Sequence, residues 1–200
     1  MTQSILRSSV AKGAFGALAA LGLAGCPSGV GQLCPPGTKS VGSFSVALNF
    51  QTGHPDECRV TSDTDGGPLD ASIATTPAPQ NGAVCIGPDG GQVIVTLAVD
   101  EAGGVAQNSG VLGDGGTFTF NGVPTVVPNT ACICTPQLIE TITGRLLPAS
   151  PDGGISWDPD AGLSPISGFT GLVTDALDGG PDCHCNVPCT LYFGLVGTKQ

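Results

Sequence analysis

The sequence predicts a mainly β protein, a disulfide-crosslinked antiparallel β-sandwich that follows a cleaved signal peptide. The first observation is composition, because 32 Gly and 17 Pro among 200 residues disfavour helices and are typical of turns. The second is a series of short apolar segments with the length of strands. The third is the presence of nine cysteines, which can crosslink a small domain that has few large side chains. Together these observations exclude a helical bundle.

The candidate strands are apolar or alternating segments separated by clusters of Gly, Pro and Asp. They span residues 41–50, 83–86, 92–99, 116–120, 125–127, 137–147, 166–174 and 190–196. Asp-Gly-Gly tripeptides predict tight turns, because Gly accepts positive φ. These tripeptides begin at Asp65, Asp89, Asp114, Asp152 and Asp178. A β-sandwich is the simplest arrangement of such strands, and residues 114–124 resemble the closing strand of carboxypeptidase-regulatory-like β-sandwich modules.

The first 25 residues have the features of a secretory signal peptide. Arg7 and Lys12 make the amino-terminal region positive, and no acidic residue precedes Asp56. An apolar stretch follows at residues 13–23. This stretch is too short to cross a bilayer of about 30 Å as a helix, whereas its length and its positive flank fit a cleaved signal.

The apolar stretch ends in Leu23-Ala24-Gly25-Cys26, which resembles the lipobox of bacterial lipoproteins. The resemblance implies that the Cys26 thiol receives a diacylglycerol, that cleavage follows Gly25, and that the new amino group receives another acyl chain such as palmitate. Two or three acyl chains anchor a protein stably. An Asp after the lipidated cysteine signals retention in the inner membrane of such lipoproteins, so Pro27 implies the outer membrane. The alternative is an ordinary secretory signal with a coincidental cysteine.

The predicted organisation has three parts. Residues 1–25 are the signal peptide, residues 26–40 are a Pro/Gly-rich tether, and residues 41–200 are a single β-rich domain. We expect Cys34 to end the freedom of the tether by forming a disulfide with the domain.

Removing Cys26 leaves an even number of cysteines, as complete pairing in an oxidising compartment requires. They are Cys34, Cys58, Cys85, Cys132, Cys134, Cys183, Cys185 and Cys189. The Cys-x-Cys motifs at 132–134 and 183–185 cannot close on themselves without strain, so each cysteine is expected to bond elsewhere. One arrangement places the two motifs side by side on neighbouring strands. The alternative is a metal site in the cluster at 183–189, with three thiols and one imidazole.

His54 is the first candidate for catalysis. It lies in a polar, turn-like segment, where Asp56 could orient it as a base or Glu57 could join it as a metal ligand. The sequence contains no nucleophile elbow, no His-Glu-x-x-His motif and no phosphate-binding loop, so nothing else in the sequence marks a catalytic site. The favoured interpretation is therefore an exposed loop residue, and no catalytic residue is assigned.

Two acidic segments and the single Trp complete the candidates. Residues 63–70 and 158–162 are rich in carboxylates but depart from EF-hand spacing, so we interpret them as solvated turns, with a structural Ca²⁺ site as the alternative. Trp157 is expected in the core rather than as an exposed platform for a sugar or peptide. The sequence thus predicts no cofactor and no bound metal.

The charge balance narrows the function. Six Lys and Arg against 16 Asp and Glu give a formal net charge of −10, which excludes a nucleic-acid partner because neutralising phosphates requires clustered cations. The sequence predicts a membrane-anchored lipoprotein with a non-enzymatic binding or structural role at the cell envelope. Its partners would be the lipid bilayer, through acylated Cys26, and a protein or glycan. The alternative is a small hydrolase or metal-dependent enzyme that uses His54 or the 183–189 cluster.

Overall fold

A computed structural model describes residues 33–60, 71–72, 76–89, 92–101, 104–126, 134–179 and 183–200. The predicted signal peptide, the predicted lipidation residue Cys26, residues 27–32 of the tether, Cys132 and the acidic segment at 63–70 lie outside the described residues.

Nearly all of the described secondary structure is strand. The strands are β1 Lys39–Gln51, β2 Arg59–Val60, β3 Ala71–Ser72, β4 Gln80–Asp89, β5 Gln92–Glu101, β6 Gly104–Val111, β7 Thr117–Asn121, β8 Thr125–Val126, β9 Gln137–Pro148, β10 Trp157–Asp158, β11 Gly162–Leu163, β12 Ile166–Asp178 and β13 Cys189–Lys199. A short 3₁₀ turn at Asp114–Gly116 precedes β7. Each predicted strand overlaps one of these elements, but β6 and the two-residue strands β2, β3, β10 and β11 were not predicted.

The long strands form one antiparallel sheet in which each strand pairs with the next long strand of the sequence, except that β6 and β7 stand at the two ends of the strand order. Across the described residues the order is β6-β5-β4-β1-β13-β12-β9-β7, and β8 pairs with β9. The last strand therefore returns to pair with the first. β6 and β7 are the edge strands of this order. A bridge between Leu112 and Phe118 brings these two edges side by side, so the sheet nearly closes on itself.

The mainly β, antiparallel and disulfide-bonded fold that the sequence predicts is confirmed. The sheet, however, is nearly barrel-like rather than clearly a sandwich. A sandwich has two separate sheets joined by connections that cross between them, whereas here the hydrogen-bonded pairing continues from strand to strand around the molecule. Inward and outward side chains alternate in both architectures, so the sequence pattern alone did not distinguish them.

Five phenylalanines fill the interior of the barrel-like sheet. They are Phe44, Phe118, Phe120, Phe169 and Phe193, and all are buried. The rings of Phe44 and Phe169 lie 5.3 Å apart, and those of Phe118 and Phe120 lie 4.8 Å apart. Burying one such ring contributes about 2–3 kcal/mol, so these rings form a substantial core in a chain with only one Trp and one Tyr.

A glycine opposite one of these rings allows close packing. Gly197 of β13 is the cross-strand partner of Phe169 in β12, and the Phe169 ring lies across it. A Cβ atom at position 197 would overlap the ring. The glycine is therefore required by a close approach inside the core.

The segment between β9 and β12 covers one end of the interior. Ile155, Trp157 and Leu163 are half-buried and pack against the core. This arrangement agrees with the expectation that Trp157 belongs to the core.

The predicted tether is joined to the domain through Cys34, as expected, and it meets the domain on the outer side of the sheet. A disulfide joins Cys34 to Cys85 of β4. Cys85 is buried in a small cluster with Leu33, Ala83 and Ala98, which is separate from the interior core.

We predict that Gly197→Ala lowers the free energy of unfolding by about 1–3 kcal/mol, because the new methyl group overpacks the core against Phe169. The measurement is the midpoint of urea unfolding. Each glycine variant is made in a Cys26→Ser background, which removes the predicted lipid acceptor. Gly154→Ala is the matched control, since no atom lies within 4 Å of a Cβ built there. Equal midpoints for the two variants would contradict the packing described for Phe169.

Candidate functional site

Residues 52–60 fold back along the beginning of β13. The Cys58–Cys189 disulfide joins the two segments, and Cys58 is fully buried in the interior core. The Cys58 N–H donates to the Thr190 carbonyl over 3.3 Å, and the Thr190 N–H donates to the Asp56 carbonyl over 2.8 Å. The crosslink and its flanking hydrogen bonds fix the polar turn that contains His54.

Asn186 ties the same turn to the segment before β13. Its side-chain oxygen accepts the Arg59 N–H over 2.7 Å, and its side-chain nitrogen donates to the Glu57 carbonyl over 2.9 Å. One amide side chain thus pairs with one backbone donor and one backbone acceptor of the returning segment. The turn is therefore held both by the Cys58–Cys189 crosslink and by the Asn186 side chain.

The two Cys-x-Cys motifs are joined to each other. Cys134 bonds to Cys183, as the sequence hypothesis of adjacent motifs allowed, but both cysteines lie outside the strands rather than on neighbouring ones. Cys185 is also disulfide-bonded, whereas Cys132 lies outside the described residues. With Cys183, Cys185 and Cys189 all oxidised, the thiolates that the metal alternative requires are used in S–S bonds.

His54, Asp56 and Tyr192 meet on the outer side of β13, and we call these three residues the His54 cluster. The His54 ring stacks on the Tyr192 ring with centroids 3.9 Å apart and an angle of 19° between the planes. The Tyr192 hydroxyl donates to the Asp56 carboxylate over 2.8 Å. The structure therefore brings His54 and Asp56 together, as one sequence hypothesis required, and adds a tyrosine.

The hydrogen bond between Tyr192 and Asp56 controls the ionisation of both groups. It is the main cause that lowers the pKa of the Asp56 carboxyl below its usual value, because it stabilises the charged form. The same bond is the main cause that raises the pKa of Tyr192. At neutral pH Asp56 is therefore a carboxylate, and Tyr192 is a neutral phenol whose hydroxyl donates a hydrogen bond to it. The hydroxyl is used as a donor, which suits binding better than nucleophilic attack.

Glu57 has a different environment. Its carboxyl group is only 2 % exposed, accepts the Gly53 N–H over 3.0 Å, and lies 3.6 Å from the Arg59 guanidinium. A buried carboxylate needs such partners. These contacts give Glu57 a structural role, and the hypothesis that it joins His54 as a metal ligand gains no support.

Sequence reasoning missed Tyr192. The signal was available, because the alternation of β13 directs Leu191 and Phe193 inward and so directs Tyr192 outward. The missing information was the return of residues 52–60 to this strand, which depends on a disulfide between cysteines 131 residues apart.

Two carboxyl groups on the inner face of the sheet were also missed. Asp175 of β12 is 1 % exposed and is the cross-strand partner of Glu140 in β9. Glu140 accepts a hydrogen bond from the Asn108 side chain over 3.1 Å. The signal was available in the sequence. Asp175 lies two residues from both Val173 and Leu177, so the alternation of the strand directs its side chain inward with theirs.

The acidic segment at 158–162 forms a turn. The Asp158 carboxylate accepts the N–H groups of Asp160 and Ala161 over 2.8 and 2.7 Å, and these bonds lower its pKa. Asp158 thus forms an Asx-type turn. Among the residues that the structure describes, no group of three or more His, Cys, Asp or Glu side chains is placed to hold a metal ion.

Comparison with known proteins finds no matching family model, no matching curated protein and no matching solved structure. In the described part of the chain, no helix has the length and apolar character needed to span a membrane.

We predict that Tyr192→Phe raises the pKa of Asp56, because it removes the main hydrogen bond to the charged form. The stabilisation from this bond is present above the unfolded pKa of Asp and is lost as the pH falls through the lower folded pKa. Carboxyl ¹³C NMR titration measures the shift, and Asp158 is the internal control because backbone groups set its pKa. An unchanged Asp56 titration would contradict the hydrogen bond.

Peptide mapping of the non-reduced protein should find the pairs Cys34–Cys85, Cys58–Cys189 and Cys134–Cys183. Among the eight cysteines after Cys26, Cys132 then remains to pair with Cys185, and we expect that bond as well. The test is mass spectrometry after digestion under conditions that prevent exchange. A bond between Cys183 and Cys185, or a free thiol on either, would contradict the pairing.

Proposed function

We propose that this protein is a lipid-anchored component of the bacterial outer membrane with a non-enzymatic binding or structural role. The proposal starts from the positive leader, the short apolar stretch and the Leu23–Cys26 motif, which together have the form of a lipoprotein signal. The acylated Cys26 would hold the chain on the membrane, and the β-rich domain would contact a protein or glycan.

The oxidation state of the cysteines is the observation that carries this proposal. All seven cysteines within the described residues are disulfide-bonded, which is typical of exported proteins and rare in the cytosol. Full pairing of the cysteines after the lipobox leaves Cys26 in excess. A lipid-modified cysteine accounts for the odd total of nine.

The His54 cluster supports a binding role. Phenylalanine rings fill the interior, so contact with a partner falls to the outer surface. The stacked rings of His54 and Tyr192 offer an aromatic surface, and Asp56 beside them adds a hydrogen-bond acceptor. Aromatic faces combined with polar edges are common in protein and glycan recognition.

The enzyme alternative has less support. A hydrolase would use His54 as a base beside a free hydroxyl nucleophile, but the hydroxyl in this cluster donates to Asp56. A metal enzyme would use thiolates that are consumed in disulfides.

We predict that Cys26→Ser releases the protein from the membrane fraction, because it removes the acceptor of the diacylglycerol. Pro27→Asp is the matched comparison, since it keeps the acceptor and is expected to move the protein from the outer to the inner membrane. Fractionation after a high-salt wash, with immunodetection, measures both effects. Retention of the Cys26→Ser protein in the washed membranes would refute the lipid anchor.

A further inference from the structure

The end of the tether is fixed over the outer face of β4, β5 and β6. The Cys34–Cys85 disulfide holds it covalently to β4. Leu33 packs on Ala83 and Ala98, which are buried on this outer face. The Leu33 carbonyl accepts a hydrogen bond from the Gln107 side chain of β6 over 3.0 Å. The chain that leads to Cys26 therefore leaves the domain beside Gln107.

Two exposed valines flank this exit point. Val105 and Val111 lie on the same outward face of β6 as Gln107, because side chains of equal parity share one face of a strand. They are 44 % and 46 % exposed. Single exposed valines are ordinary on a protein surface, so it is their position on either side of the attachment point that favours a contact surface here.

The tether holds this face close to the lipid. Seven peptide units separate Cys26 from Leu33, which limits the span to about 25 Å when fully extended. The eight residues of β6 are themselves about 27 Å long. A domain attached near the middle of β6 by so short a chain meets the membrane with the surface around the attachment point.

The charge distribution favours the same orientation. The chain carries a formal net charge of −10, so most of its surface is repelled by anionic lipid headgroups. The described outward side chains of β6 are uncharged: Val105, Gln107, Ser109 and Val111. Asp100 of β5, the exposed cross-strand partner of Val105, places one negative charge beside the Val105 end of this face, so repulsion by headgroups falls on that end rather than on Gln107, Ser109 and Val111.

We propose that the outer face of β6, from Val105 to Val111, rests on the surface of the membrane that holds the acyl chains of Cys26. This inference rests on the proposed lipid anchor and adds the orientation of the domain. β13 lies on the opposite side of the barrel-like sheet, four strands from β6 in either direction. The His54 cluster, on the outer side of β13, therefore points away from the lipid and toward other partners.

The test uses tryptophan quenching in the acylated protein. Val105→Trp and Val111→Trp are each combined with Trp157→Phe, which removes the native fluorophore. Val196→Trp in the same background is the matched control, because Val196 is 38 % exposed and belongs to β13. Each acylated protein is inserted into phospholipid vesicles brominated on the acyl chains near the headgroup. Mass spectrometry of the amino-terminal peptide establishes acylation in the same samples.

We expect at least about twofold stronger quenching for the two β6 variants than for Val196→Trp, because residues at a docked face reach the headgroup and upper acyl region. Two β6 positions are used so that one poorly folded variant does not decide the result. Equal quenching at β6 and β13, or stronger quenching at β13, in fully acylated protein overturns the orientation and leaves the anchor intact. Absence of acylation at Cys26 overturns the proposed function itself.

Discussion

The Cys58–Cys189 disulfide is the constraint that holds residues 52–60, and with them the His54 cluster, on β13. Apart from β6 and β7, consecutive long strands pair with each other, whereas residues 52–60 leave β1 and return across the beginning of β13. The crosslink closes a loop of 131 residues, and restricting so long a loop in the unfolded chain stabilises the fold by about 2–5 kcal/mol. It also buries Glu57 and places Asp56 beside Tyr192.

A second disulfide fixes another segment on the outer surface of the domain. The Cys34–Cys85 disulfide fixes the end of the tether on β4, just as Cys58–Cys189 fixes the His54 cluster on β13. Because β4 to β6 lie across the barrel-like sheet from β13, the two crosslinks place the proposed membrane-facing surface and the proposed binding surface on opposite sides of the domain. This separation suits a protein that is held at a membrane by one side and contacts a partner with the other.

Local patterns in the sequence were sufficient for most strands and for the disulfide-bonded, antiparallel class. They were not sufficient for β6, because Val105 and Val111 enclose a polar stretch that lacks the alternation of a half-buried strand. These patterns also predicted that the strand ends at residue 174, whereas β12 continues to Asp178, because Asp175 interrupts an apolar segment. The nearly barrel-like closure depends on which strands pair, and local alternation carries no information on that pairing.

The candidate site was predictable only in part. His54 and Asp56 are neighbours in the chain, so their proximity could be expected from the sequence. Tyr192 joins them through long-range contacts that a single sequence does not reveal. The outward position of Tyr192 follows from the period of β13, but its partner follows from the pairing of Cys58 with Cys189, one of many connectivities that eight cysteines allow.

Native-state hydrogen exchange of the Cys58→Ala, Cys189→Ala double variant tests most directly whether this crosslink holds the returning segment. The account predicts that the amides at positions 58 and 190, which hydrogen-bond across the two segments, lose their protection. The amides of Phe193 and Leu195, which lie between β1 and β12 in the sheet, should remain protected. Unchanged protection at positions 58 and 190 would contradict the account, because the segment would then be held without the disulfide.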